Sequence, residues 1–129
     1  MTPRTSANRV LIVEDDANAG ERLCSSFAEM GYSVCKVRNA GDAVAICSHF
    51  PPDVAVVDLT QERGTGYALT RYIRERRAES VIILTTAAQE FQPDPARASS
   101  AGVDRHFAKS PNLDPLLTFV VNTRKRYQQ

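Results

Sequence analysis

The stretch Asp53-Val54-Ala55-Val56-Val57-Asp58-Leu59 decides the fold, because four apolar residues in succession end at a single carboxylate. A short, continuous apolar run of β-type residues predicts a strand buried on both faces of a sheet. Asp58 then lies where that strand emerges at the sheet edge. Taken alone, an aspartate in this position is most often a turn residue or a helix cap. The rest of the chain decides between that interpretation and a functional one.

Four other segments also have strand character. Residues 10–13 and 81–84 are continuous apolar runs rich in β-branched side chains, which predicts two more strands buried on both faces. Residues 32–37 alternate only partly between apolar and polar, and residues 105–108 form a weak final strand. Each of the five predicted strands is followed by a segment with helical spacing.

The helices are predicted from apolar side chains that recur at i, i+3, i+4 and i+7. Asn39 and Asp94 are placed to cap the second and fourth helices, and Pro95 suits the first turn of the fourth. Gly31 and Gly102 follow the first and fourth helices as C′ residues. The longer helices have predicted apolar faces made of Ala19, Leu23, Phe27 and Met30, of Ala43, Ile46, Cys47 and Phe50, of Leu69, Tyr72 and Ile73, and of Leu116, Leu117, Val120 and Val121.

This alternation predicts an α/β fold, a doubly wound five-stranded parallel sheet with helices on both faces, flavodoxin-like with strand order 2-1-3-4-5. In such a sheet, ligands bind in the crevice at the carboxyl ends of the strands. The length of 129 residues fits one domain, which we place at residues 9–129 after a short disordered leader at residues 1–8.

Composition excludes several classes of partner. The 16 Lys and Arg against 15 Asp and Glu give a net charge of +1, which offers no basis for non-specific nucleic-acid or membrane binding. No run approaches the length of a membrane span, and residues 1–9 have no signal-peptide core. Cys24, Cys35 and Cys47 match neither a disulfide framework nor a metal knuckle, so we expect small buried side chains in a reducing cytoplasm.

The third helix carries a basic cluster. Arg71, Arg74, Glu75 and Arg76 fall on its outer side. We interpret the cluster as a solvated face, and an anion-binding patch is the alternative.

The polar residues that could bind a ligand or react all fall at the carboxyl ends of predicted strands. They are Glu14 and Asp15, Asp58, Thr85, and Lys109. Three carboxylates brought close together repel one another unless a cation neutralises them. Oxygen-only ligands suit Mg²⁺ better than Zn²⁺, because no Cys or His is placed to bind a metal. The sequence therefore predicts a magnesium site at this edge.

A carboxylate beside Mg²⁺ is a competent nucleophile towards a phosphoryl group. Asp58 is the predicted acceptor, since it ends a central strand and has no acidic neighbour at positions 57 or 59. Thr85 can donate a hydrogen bond to a phosphoryl oxygen, and Lys109 supplies a cation.

With these residues in this order, the chain from Val10 to about Tyr127 resembles the receiver domains of two-component response regulators, in particular the single-domain, chemotaxis-regulator-like type. The resemblance implies a phosphoacceptor switch with no enzymatic activity beyond its own phosphorylation and dephosphorylation. It implies that Glu14, Asp15, Asp58 and the backbone carbonyl of Thr60 bind Mg²⁺. The phosphoryl group would come from a sensor histidine kinase or a phosphotransfer protein, and Thr85 and Lys109 would bind it.

The same resemblance implies a downstream output protein as partner, with a phosphorylation-dependent homodimer as one form of output. The output surface would comprise the fourth helix, the fifth strand and the fifth helix. Direct binding to nucleic acid or membrane is not expected.

The sequence departs from the family pattern at several positions. Ser110 separates Lys109 from Pro111, which are usually adjacent, and the loop after Asp58 lacks the usual residues between positions 60 and 66. Thr86 stands where a smaller residue is common, so we expect slower dephosphorylation. His106 replaces a common aromatic residue, and is either a pH-sensitive switch element or a histidine at the edge of the core.

Two alternatives remain open from the sequence. One is a pseudo-receiver, an interaction module that switches without phosphorylation. The other is a phosphatase or a flavodoxin-like enzyme; a phosphatase of the haloacid-dehalogenase type requires an acid where Thr60 stands.

Overall fold

The computed structural model describes residues 8–60, 65–77 and 81–127, so most of the predicted leader and the loop at residues 61–64 lie outside the described residues. Strands and helices alternate along the chain. The elements are β1 (Arg9–Val13), α1 (Ala17–Glu29), β2 (Ser33–Val37), α2 (Ala40–Cys47), β3 (Val54–Asp58), α3 (Thr65–Arg77), β4 (Ile82–Ala87), α4 (Pro95–Ala101), β5 (Arg105–Ala108) and α5 (Asp114–Tyr127).

The five strands form one parallel sheet in the order β2-β1-β3-β4-β5, which confirms the predicted topology. Every residue of β3 and β4 is buried, as the continuous apolar runs predicted. Alternate side chains of these strands enter two cores, as period-2 alternation requires. Val56 and Leu84 pack with Phe27 of α1 and Val120 of α5, whereas Val57 packs with residues of α2 and α3.

Backbone pairing continues just past the strands and fixes the polar residues at the sheet edge. The amide of Glu14 donates to Val37 at 3.0 Å, and the amide of Leu59 donates to Thr86 at 2.8 Å. The amide of Lys109 donates to Ala87 at 2.8 Å. These bonds hold the residues after β1, β3 and β5 in the register of the sheet.

Side-chain caps define where several helices begin and end. The Asn39 and Asp94 side chains accept hydrogen bonds from the first-turn amides of α2 and α4, as predicted. Gly102 ends α4 with φ of 80°, a left-handed conformation that favours glycine. Asp16 caps α1 by accepting from the amide of Asn18 at 3.0 Å, a role that the sequence analysis did not assign.

Three predicted orientations are wrong. Met30 is 37% exposed because α1 ends at Glu29, one residue before it. Val121 is 36% exposed, since the buried side of α5 runs through Leu116, Val120 and Thr123 instead. Arg74, expected on a solvated face, donates to the backbone carbonyls of Val81 and Gly102.

The three cysteines are free; Cys47 is buried and the other two are half-buried. Burial raises the pKa of each thiol, so none is an activated thiolate. Among the described residues, no helix combines the length and the apolar character needed to cross a bilayer.

Candidate functional site

Three carboxylates meet at the carboxyl edge of the sheet. Oxygens of Glu14, Asp15 and Asp58 all lie within 4.8 Å of one another. Glu14 is 2% exposed and Asp58 is 3% exposed, whereas Asp15 faces solvent. This set, which we call the acidic pocket, offers only hard oxygen donors and fits a cation such as Mg²⁺ by the chemistry of those donors.

Lys109 neutralises part of this charge. Its Nζ lies 3.0 Å from Glu14 Oε2 and 3.1 Å from Asp58 Oδ2. Burial lowers the pKa of Lys109, but the hydrogen bonds to the two carboxylates outweigh burial and raise that pKa above its ordinary value. Lys109 is therefore a permanent cation at the acidic pocket.

Thr60 contacts the second oxygen of Asp58. The Thr60 amide donates to Oδ1 at 2.9 Å, and the Thr60 hydroxyl also donates to Oδ1. Burial raises the pKa of Asp58, but these bonds and those from Lys109 outweigh burial and lower the pKa below its ordinary value. Asp58 is consequently ionised at neutral pH, the form in which a carboxylate acts as ligand or nucleophile.

Glu14 differs from Asp58 although the same lysine contacts both. Burial raises the pKa of Glu14 above its usual range, in spite of hydrogen bonds from Lys109 and from the Asp16 amide. The nearby charge of Asp58 contributes in the same direction. The acidic pocket thus holds one carboxylate with a lowered pKa, Asp58, and one with a raised pKa, Glu14.

The hydroxyl of Thr85 is directed to His106. Thr85 is fully buried, and its Oγ1 lies 2.8 Å from His106 Nδ1 in a hydrogen bond between paired residues of β4 and β5. Burial lowers the pKa of His106, so the neutral imidazole is favoured. The ring of Phe91 packs at 6.3 Å from the His106 ring.

Thr86 is the threonine nearest in register to the acceptor. It pairs with Asp58 across β3 and β4, and is 5% exposed. With Glu14 and Lys109 it lines a cavity of about 130 Å³ that extends between α1 and the segment leading into α5. The Thr86 side chain, which is larger than a methyl group, therefore borders the acidic pocket on this side.

The structure brings Glu14, Asp15, Asp58 and Lys109 together and places Thr86 beside them on β4, whereas the hydroxyl of the predicted Thr85 is bonded to His106. The predicted metal-binding role of the Thr60 carbonyl stays a prediction, while its amide and hydroxyl contacts to Asp58 were missed. A threonine two residues after an aspartate at a strand end is the local signal for such contacts.

The insertion of Ser110 does not displace Lys109. The Lys109 carbonyl accepts from Gln89 Nε2 at 3.1 Å, in addition to the bond that its amide makes to Ala87. The peptide bonds of the described residues are all trans. Lys109 is thus held by the end of the sheet and by Gln89.

The chain thus combines a doubly wound parallel sheet with an acidic pocket and a lysine at the carboxyl edge of that sheet. The family model described as "Response regulator receiver domain" matches residues 10–121. The chain belongs to this family, the receiver domains of two-component systems.

Relatives agree with this assignment. The chain is 35% identical over 85 residues to Protein PilH of Pseudomonas aeruginosa, covering 64% of this chain and 70% of PilH. It is 30% identical over 104 residues to Regulator of RpoS of Escherichia coli K12, covering 81% of this chain but only 31% of that protein. A CheY-like receiver domain protein from Methanospirillum hungatei has the same fold, with a TM-score of 0.83, 20% identity and coverage of 94% and 96% of the two chains.

Proposed function

We propose that this receiver domain accepts a phosphoryl group on Asp58 from a sensor histidine kinase or a phosphotransfer protein, with Mg²⁺ as cofactor, and thereby changes its affinity for an output protein. The observation that carries the proposal is the arrangement of an ionised, buried Asp58 within 3.1 Å of Lys109 and beside two further carboxylates. A carboxylate that only capped a turn would not need a lysine and two further carboxylates beside it.

The transfer has a simple balance of bonds. An Oδ of Asp58 forms a bond to phosphorus while the bond from phosphorus to the donor's imidazole nitrogen breaks, and that nitrogen keeps the electron pair. Lys109 offsets negative charge on the phosphoryl oxygens. When bound by Glu14, Asp15 and Asp58, with the Thr60 carbonyl, Mg²⁺ neutralises charge on the carboxylates and on the phosphoryl group.

The neighbouring residues modulate the switch in this proposal. Thr85 exchanges its bond to His106 for a phosphoryl oxygen, and His106 is released from that bond. Thr86 restricts the approach of water and slows dephosphorylation. The change is read at the surface formed by α4, β5 and α5, by an output protein or by a second copy of the chain. A cytoplasmic location, which three free cysteines favour, belongs to the same proposal.

The proposal is tested by incubating the protein with Mg²⁺ and acetyl phosphate and measuring a base-labile phosphate adduct by intact-mass spectrometry. We expect an adduct in the wild type that is absent in Asp58→Asn and retained in Asp42→Asn, an exposed aspartate of α2. EDTA should prevent its formation. A folded wild type with no adduct would instead identify a phosphorylation-independent interaction module, and an adduct that survives in Asp58→Asn would exclude Asp58 as the acceptor.

A further inference from the structure

An open groove lies between helices α3 and α4. None of its lining residues belongs to the acidic pocket. Its volume is about 490 Å³. We call it the α3–α4 groove; its lining residues are Tyr67, Ala68 and Arg71 of α3 and Ala96, Arg97, Ser100 and Ala101 of α4. The proposed receiver chemistry assigns it no role.

The groove exists because its lining side chains are mostly small. Tyr67 and Ala101 are buried and form the floor, and Ala68, Ala96 and Ser100 are exposed but short. No described large apolar side chain fills the space between the two helices at this point. A bound chain can therefore approach the helix backbones closely, with the Ser100 hydroxyl as a polar contact.

Two arginines give the groove its charge. Arg71 and Arg97 are exposed, and within the described parts of the chain neither forms a salt bridge. Arg74, the next arginine of α3, behaves differently, because it is paired with Asp104 at 2.8 Å. The Asp94 carboxylate accepts hydrogen bonds from the amides of Ala96 and Arg97 and caps α4. The groove thus combines two cations that have no carboxylate partner among the described residues.

Arg97 is also held in place. Its guanidinium lies 4.9 Å from the centre of the Tyr67 ring, and the Tyr67 hydroxyl accepts from the Asp94 amide at 3.1 Å. A guanidinium stacked on an anchored ring loses less conformational freedom when it binds a carboxylate than a freely moving side chain does. The fork of an arginine matches a carboxylate in two parallel hydrogen bonds.

We propose that the α3–α4 groove is a docking site for an acidic segment of a partner protein, with its carboxylates paired to Arg71 and Arg97. Charge complementarity identifies the occupant: two cations line the groove, and its other lining side chains are mostly small. A nucleic acid fits less well, because an overall charge of +1 gives no extended positive surface along which a phosphate backbone can run. This proposal does not depend on phosphorylation of Asp58.

The groove is also connected physically to the acceptor. Tyr67 and Ala101 share a buried cluster with Leu59, the residue after Asp58, and with Ala87 at the end of β4. An acidic segment bound in the groove therefore contacts a buried cluster that includes the residue directly after Asp58.

The test is a titration of the full-length, ¹⁵N-labelled protein with acetylated hexaglutamate, followed by amide chemical shifts. We expect saturable shifts at Ala68, Ala96 and Ser100 that weaken as salt is added, and no such shifts with hexaglutamine. In the double variant Arg71→Gln/Arg97→Gln the affinity should fall at least about fivefold, the size of one or two charge-assisted contacts. The matched control Arg76→Gln/Arg105→Gln removes the same charge from exposed arginines outside the groove and should stay within about twofold of the wild type.

A second variant tests the proposal by reversing the charge of the groove. Arg71→Glu/Arg97→Glu should lose hexaglutamate and bind acetylated hexalysine at the same amides. The proposal is overturned if the shifts fall outside the groove, if the two double glutamine variants bind equally well, or if inorganic phosphate produces the same shifts at the same concentration.

Discussion

The acidic pocket and the α4 region, residues 91–104, differ in how firmly the fold holds them. In the acidic pocket Glu14 and Asp58 are at most 3% exposed, and Asp58 ends β3, whose residues are all buried. In the α4 region Ala101 is the one buried residue of the seven-residue helix. Its position depends on a few polar contacts, those of Arg74, Asp94 and Tyr67.

This difference indicates that the acidic pocket and the α4 region have different roles. Chemistry at a carboxylate requires fixed distances, which the central strands provide because neither face of them is free to move. A helix with little buried apolar surface belongs to the low-stability end of the structure, where local opening costs little free energy. A receiver that changes its binding surface needs both properties. The Thr85–His106 bond lies between the two regions: Thr85 pairs with Val57, the residue before Asp58, and the His106 ring packs near Phe91 of the α4 region.

The largest effect is expected from removing the cation of the acidic pocket. Lys109→Gln leaves two buried carboxylates without their shared partner, and breaking a buried ion pair in this way costs about 3–5 kcal/mol. Because the Lys109 side chain is 28% exposed, we expect the low end, about 3 kcal/mol at neutral pH in EDTA, measured by urea unfolding.

Acid should reduce this loss. Glu14 already has a raised pKa, so in the variant the folded state binds a proton more readily than the unfolded state, and stability relative to the wild type rises as pH falls. Lys36→Gln, an exposed lysine of β2, is the matched control and should lose much less. Equal losses in the two variants would show that Lys109 is not what stabilises the acidic pocket.

A smaller effect is expected from Arg74→Gln, which tests how α4 is anchored. The guanidinium donates to Gly102 at 2.8 Å and to Val81 at 2.9 Å, and pairs with Asp104. Its loss leaves partly buried carbonyls without a donor, at a cost of about 1–2 kcal/mol. In Arg74→Gln, amide hydrogen exchange should increase mainly in the α4 region. Arg71→Gln, on the same helix, should change neither the free energy of unfolding nor the amide exchange of the α4 region. Increased exchange throughout β3 instead would contradict the separation of the two regions.

The contrast between the regions also explains what the sequence could and could not predict. Runs such as Val54–Asp58 have one structural solution, a buried parallel strand, and topology then forces Glu14, Asp58 and Lys109 to one edge. Predicting the fold and the acidic cluster required no side-chain detail.

The sequence did not reveal the contacts that side chains make to residues far away in the chain. Arg74 reaches Gly102, 28 positions away, and nothing in the helical pattern distinguishes it from Arg71. Thr85 was expected to serve a phosphoryl group, but its bond to His106 depends on the register of β4 with β5. Such contacts follow from three-dimensional packing, which periodicity does not encode.

A still smaller and more local effect is expected at the N-terminus of α4. Asp94→Ala removes the cap that accepts from the Ala96 and Arg97 amides, and losing an N-cap costs about 1 kcal/mol. We expect that loss in urea unfolding, together with faster amide exchange confined to α4. Glu90→Ala, an exposed acid just before the helix, is the control for the change of charge. A loss as large as that of Lys109→Gln would mean that α4 is part of the rigid core.

The smallest effect is expected at His106, whose ring packs near Phe91 of the α4 region. Burial lowers the pKa of His106, so above its ordinary value of about 6.5 the ring is neutral in both the folded and unfolded states. Below that pH the unfolded chain takes up the proton first, and the free energy of unfolding falls as pH falls towards the folded-state pKa. Urea unfolding at about pH 7.5 and about pH 5.5 measures this slope.

His106→Gln should remove that part of the slope, because glutamine can still hydrogen-bond to Thr85 but does not titrate in this range. His49→Gln, the same substitution at the exposed histidine after α2, is measured in parallel as the control. If His106→Gln keeps the full slope, His106 is not its source, and Glu14 is not its source either, because the raised pKa of Glu14 makes stability increase as pH falls. In His106→Gln, a residual slope of the opposite sign would identify Glu14 of the acidic pocket as the remaining titrating group.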